Sequence, residues 1–96
     1  MNQYERARLI ARVKRMEQIF DEILAAKAAD EDSFLEDPDI KEKFAELMDY
    51  YDHGQWLQDY ESYEQGELPA GLKRGVLSQD AVYDLLSEIL QDLIEE

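Results

Sequence analysis

The side chains of this 96-residue chain that could hold a ligand or move a proton are few. Lys73 and Arg74 are the only Lys or Arg after Lys43, and they lie between Gly71 and Gly75, shortly before a helix start expected at Ser78. Free backbone N–H groups, a positive helix end and two cations would suit a phosphate or a carboxylate. The competing reading is that the pair neutralises neighbouring Asp and Glu, and Asp80 would repel an incoming anion. Trp56, Tyr60 and Tyr63 recur at helical spacing, and with Tyr50, Tyr51 and Tyr83 they could line an aromatic groove. Rings at that spacing more often fasten a short helix to its core.

His53, the only histidine, follows Asp49 by four residues, a pair that suits metal binding or acid–base chemistry. Two ligands do not make a site, and no HExxH motif or second histidine accompanies them, so His53 reads as a helix-end or surface residue. The run from Asp30 to Asp37 is acidic enough to suggest calcium but lacks the turn glycine and alternating oxygens of an EF-hand loop, and it reads as a solvated loop. Without cysteine there is no thiol nucleophile and no disulfide. The expectation is no catalytic set, no metal, no cofactor and a non-enzymatic protein, with Trp56, Tyr60, Lys73, Arg74 and Tyr83 as candidate binding residues.

The elements that must position these residues are helical. Asn2 with Glu5 resembles a capping box, and Leu9, Val13, Met16, Phe20 and Ile23 alternate spacings of four and three, which predicts a helix over about 3–29, roughly 40 Å long. Two starts compete for the second helix, Ser33 with Glu36 or Asp37 with Pro38. The second is preferred because proline disfavours helical geometry in the residue before it. That helix runs over about 38–52 with Ile40, Phe44, Leu47, Met48 and Tyr51 on one face and Gly54 to end it. A short helix over about 55–65 stops at Gly66, and a last one over about 79–95 follows an N-cap at Ser78, with Val82, Leu85, Leu86, Ile89, Leu90, Leu93 and Ile94 as its apolar stripe. No stretch alternates with period two. The expected fold is all-α, a small bundle of three longer helices and one short one forming a single domain over 1–96, with the seams of the first and last helices closing over each other.

Charge bounds the partners. The net charge is −14, which disfavours direct nucleic-acid binding, yet residues 1–16 carry +4 and the remainder −18. This order opposes the dipole of the first helix, so local helix stability is not its cause. Two antiparallel copies of that helix would be complementary, giving a homodimer through it, and the same complementarity is available within one chain against the acidic last helix. No apolar run approaches the roughly 18 residues of a membrane span, and the N-terminus does not read as a signal peptide, so a cytoplasmic protein without membrane attachment is expected.

The block Trp56-Leu57-Gln58-Asp59-Tyr60, Glu67-Leu68-Pro69 and Leu72 through Tyr83 resembles the signature of a bacterial family known only as a domain of unknown function. The resemblance implies bacterial origin, an α fold and a short stand-alone protein, and it supplies no catalytic residues. From the residues themselves, the leading expectation is an interaction or adaptor protein whose acidic surface engages a protein partner with a basic face. The alternative is a small-ligand or anion-binding protein using Lys73 and Arg74. A mimic of nucleic acid that occupies a nucleic-acid-binding protein is a third reading.

Overall fold

Local capping starts the first two helices. In a computed structural model describing residues 2–95, with the side chains of Gln79 and Glu95 excepted, Asn2 Oδ1 accepts from the Glu5 N–H at 2.8 Å and opens α1 (Gln3–Ala29). Asp37 Oδ1 accepts from the Asp39 N–H at 2.9 Å and opens α2 (Pro38–Asp52), with Pro38 in the first turn. Ser33, the rejected start, makes no side-chain cap. Gly54, at φ +86°, adopts the left-handed conformation that ends α2 and leads at once into α3 (Gln55–Glu64). Ser78 has the extended backbone of an N-cap, φ −68° and ψ 126°, and precedes α4 (Gln79–Glu95). The fold is the expected all-α bundle, and α3 ends one residue early.

Two 3-10 turns were not foreseen, at Phe34–Glu36 and Gly75–Leu77. The first corrects the reading of residues 30–37 as a solvated loop. Asp30 accepts from the Ser33 and Phe34 N–H groups, and the turn this forms drives Phe34 into the core at 7% exposure. An aromatic ring outweighs the acidic residues around it when one turn can bury the ring and leave the carboxylates wet.

One apolar cluster joins Leu9, Val13, Ile19 and Ile23 of α1, Ile40 and Leu47 of α2, Trp56 of α3, Val76 and Leu77, and Val82, Leu85, Leu86 and Ile89 of α4. The seams of α1 and α4 share this cluster, but the most extensive backbone packing is α1 on α2. The 75–77 turn touches α1, α3 and α4 together. On α2, Tyr50 is buried while Tyr51, expected on the core face, is half-buried. On α4 the stripe is only half used, for Leu90, Leu93 and Ile94 are 38%, 51% and 82% exposed. α1 sets the long dimension of a particle 46 × 19 × 19 Å.

The inverted charge order of α1 has a tertiary cause. Arg6 pairs with Glu67, Arg12 with Asp59 of α3 and Arg15 with Glu46 of α2, at 2.8, 2.7 and 3.2 Å. The intrachain partners of these three arginines are therefore α2, α3 and the chain after α3, and not α4, one of the two partners that charge left open; α4 takes Lys27 through Glu88.

Candidate functional site

The residues singled out for binding are placed in three different surroundings. Trp56 lies in the core at 7% exposure, and its indole N–H donates to the Val76 carbonyl at 2.8 Å. Its faces are taken by Tyr51 and by Tyr60, each ring centroid at 5.2 Å, the latter stacked at 12°. Tyr63 meets Tyr60 edge-on at 6.4 Å, and the Arg74 guanidinium lies over the Tyr63 ring at 4.7 Å. Lys73 turns the other way, to Asp21 of α1, and that contact raises its pKa. The two neighbouring cations thus reach for different helices. Tyr83 stands on α4 at 58% exposure. His53 caps α2 and pairs with Asp49, both well exposed. Among the described residues no three His, Asp or Glu side chains are gathered to hold a metal ion.

Two buried carboxylates organise the interior. Asp59 is 1% exposed and accepts four hydrogen bonds. The Arg12 guanidinium donates in a fork at 2.8 and 2.7 Å, the Tyr50 hydroxyl donates at 2.7 Å and the Gln55 amide at 3.0 Å. Burial, and then the bond to Asp59, push the Tyr50 hydroxyl well above the ordinary tyrosine pKa. The bond to Asp59 likewise raises the pKa of Arg12 against the opposing effect of burial. Glu17, 5% exposed, accepts from the Val76 N–H at 2.6 Å. Val76 therefore has its N–H held from α1 and its carbonyl from α3, so two helices clamp the backbone of one buried residue.

Both oxygens of Asp59 are held by partners of its own chain, whereas Glu17 holds the Val76 N–H through Oε2 and has the Lys73 ammonium 4.0 Å from Oε1. Open hollows border Glu17, beside Asp21 and Lys73, and Asp59, beside Arg12 and Gln55. A groove of about 710 Å³ runs between α2, the Phe34–Glu36 turn and the distal part of α4. Its apolar lining is Phe34, Leu35, Phe44, Met48, Ile89 and Leu93. Carboxylates surround it, Glu31, Asp32, Glu36, Asp49, Asp52 and Asp92, with Lys41 and His53 the only basic side chains among its lining residues. An apolar floor inside an acidic rim suits a ligand that is apolar on one side and cationic at its edges.

A family model described as Domain of unknown function (DUF4298) matches residues 13–95. The chain belongs to that family. The matched segment holds the whole groove, Glu17, Asp59 and Val76, whereas Arg6 and Arg12 precede it. No curated protein and no solved structure matches the sequence.

The groove has no signature of its own in the sequence, because Phe44 and Met48 of α2 and Leu93 of α4 lie on the apolar stripes of their helices and a stripe does not show which of its residues a neighbour covers. A signal existed in the pair Phe34-Leu35, two apolar residues inside an acidic run, which marks a turn with something to bury. Asp59 and Glu17 also carried one. Asp59 shares the 56, 60, 63 stripe of α3, and Glu17 shares the 13, 16, 20 stripe of α1. An acid on an apolar stripe announces a buried, partnered carboxylate.

Proposed function

We propose that this protein is a non-enzymatic binding protein that engages the basic face of a protein partner. The observation that carries the reading is the groove beside α2, apolar within and ringed by carboxylates, on a chain of net charge −14. The apolar lining supplies area to bury and the rim supplies long-range attraction for a cationic surface, which acts mainly on encounter rate and on choice of partner. The second reading, a small anion held by Lys73 and Arg74, is less well supported, since Lys73 faces Asp21 and Arg74 covers Tyr63. No helix among the described residues is long and apolar enough to cross a membrane.

Charge reversal with a position control tests the proposal. Asp49→Lys, Asp52→Lys and Asp92→Lys together should remove the proteins that the immobilised wild type retains from an extract of its source cells. Glu42→Lys, Glu61→Lys and Glu64→Lys make the same change in net charge away from the groove, and should leave retention in place. Equal retention by both triple variants, or no protein retained at low salt, overturns the reading.

A further inference from the structure

We infer that the occupant of the groove is a short amphipathic helix, about three turns long, with an apolar stripe toward the floor and Lys or Arg along its flanks. This inference rests on the proposed function and names the partner's chemistry. The groove wall on α2 is one continuous helical stripe, in which Lys41, Phe44, Ala45, Met48, Asp49 and Asp52 follow at spacings of three, one, three, one and three. The ends of this stripe, Lys41 and Asp52, are eleven positions apart, or about 16 Å at 1.5 Å per residue. The facing wall is α4, where Ile89, Asp92 and Leu93 repeat the same spacing. Two helical walls with an apolar floor between them leave the place of a further helix in a bundle, and ridges spaced by three and four accept the matching ridges of a helix.

The charges choose among possible occupants. A second copy of this chain would set α4, which has no basic residue, and the carboxylate rim against their own kind. In the basic segment of α1, Arg6, Arg12 and Arg15 already have Glu67, Asp59 and Glu46 as partners in their own chain, which a neighbour's groove would have to replace. A separate helix with cationic flanks meets Asp49 and Asp52 on one wall and Asp92 on the other while covering Met48 and Leu93. Leu93 is 51% exposed, and such a helix would cover it.

Two synthetic peptides of identical composition decide the matter, measured by calorimetric titration against the whole protein. One places Leu at positions i, i+3, i+7 and i+10 with Lys and Arg on the flanks; the other scrambles the order so that no stripe forms. The striped peptide should bind at least about tenfold more tightly than the scrambled one, and salt should weaken it. Ala45→Arg, which fills the wall with a like charge, should weaken it by a similar factor. Leu93→Glu should also weaken it, although it adds a negative charge that simple attraction would welcome. Amide shift mapping on the unaltered protein should place the perturbations at residues 44–52 and 89–93, a readout independent of how the variants fold. Equal binding of both peptides, with Leu93→Glu unchanged or tighter, overturns the helical occupant and leaves a charge-driven binder of basic proteins. No binding of either peptide at low salt overturns both the occupant and the proposed function.

Discussion

At the scale of single residues, Asp59 ties three helices together, because Arg12 comes from α1, Tyr50 from α2 and Gln55 from its own α3. Removing one partner of a buried ion pair leaves the other charge unmatched, which costs about 3–5 kcal/mol. Arg12 keeps 29% of its side chain in water and can turn outward, so Asp59→Ala should cost about 3 kcal/mol in urea unfolding. Tyr50→Phe should cost only about 1 kcal/mol at neutral pH, but it should change the alkaline limb. Tyr50 has its folded pKa raised above the unfolded value, so its stabilisation is intact below about pH 10. At higher pH the unfolded chain loses the proton that the folded chain keeps, and stability falls by about 1.4 kcal/mol per pH unit from this group. Unfolding curves at pH 8–11 should show the wild type losing more stability than Tyr50→Phe, and parallel losses would remove the assignment. Lys27, Lys43 and Lys73, whose pKa values are also raised, add a decline of the same sign to both proteins.

At the scale of elements, the Gly75–Leu77 turn depends on its neighbours for its geometry. A Cβ on Gly75 would stand 3.1 Å from Glu17 Oε1, and Glu17 has little room to retreat while it holds the Val76 N–H. Gly75→Ala should therefore cost about 1–2 kcal/mol through a weakened or lost bond to a buried N–H. Trp56→Phe leaves the Val76 carbonyl unpaired and should cost about 1–3 kcal/mol. Thermal melts of the two single variants and the double variant should show less than additive loss, since both release the same turn. Gly54 is a different case, because only its φ of +86° matters and its surroundings are open. Gly54→Ala should cost about 1–2 kcal/mol from backbone strain alone. The main helices themselves were legible in the sequence: Asn2, Asp37, Gly54 and Gly66 mark boundaries that act within four residues of themselves. The 3-10 turns were not, since three-residue runs have no periodicity, and what holds them is a ring or a residue's backbone buried against distant helices.

At the scale of the whole molecule, charge and shape dominate. A net charge of −14 spread over a particle 46 Å long repels itself, and at about 10 mM salt the screening length of about 30 Å leaves much of that repulsion intact. Raising salt to about 150 mM shortens the range to about 8 Å, and the melting temperature should rise by a few degrees despite weaker surface ion pairs. A fall would mean that the pairs from α1 to α2, α3 and Glu67 outweigh the net repulsion. The particle's length follows from α1, while α4 carries its last apolar residues beyond the shared core and so leaves one wall of the groove exposed.

Helix positions, their caps and the acidic character of the surface were decided by the sequence alone, because propensity, capping and net charge act locally or simply add. Which acids are buried was decided only in three dimensions, because Asp59 meets Arg12 across 47 residues of chain and Glu17 meets Val76 across 59. The groove was decided there too, since an apolar stripe looks the same in a sequence whether a neighbour covers it or not. Only the packing of α1, α2 and the 75–77 turn determines which part of α4 is left without one.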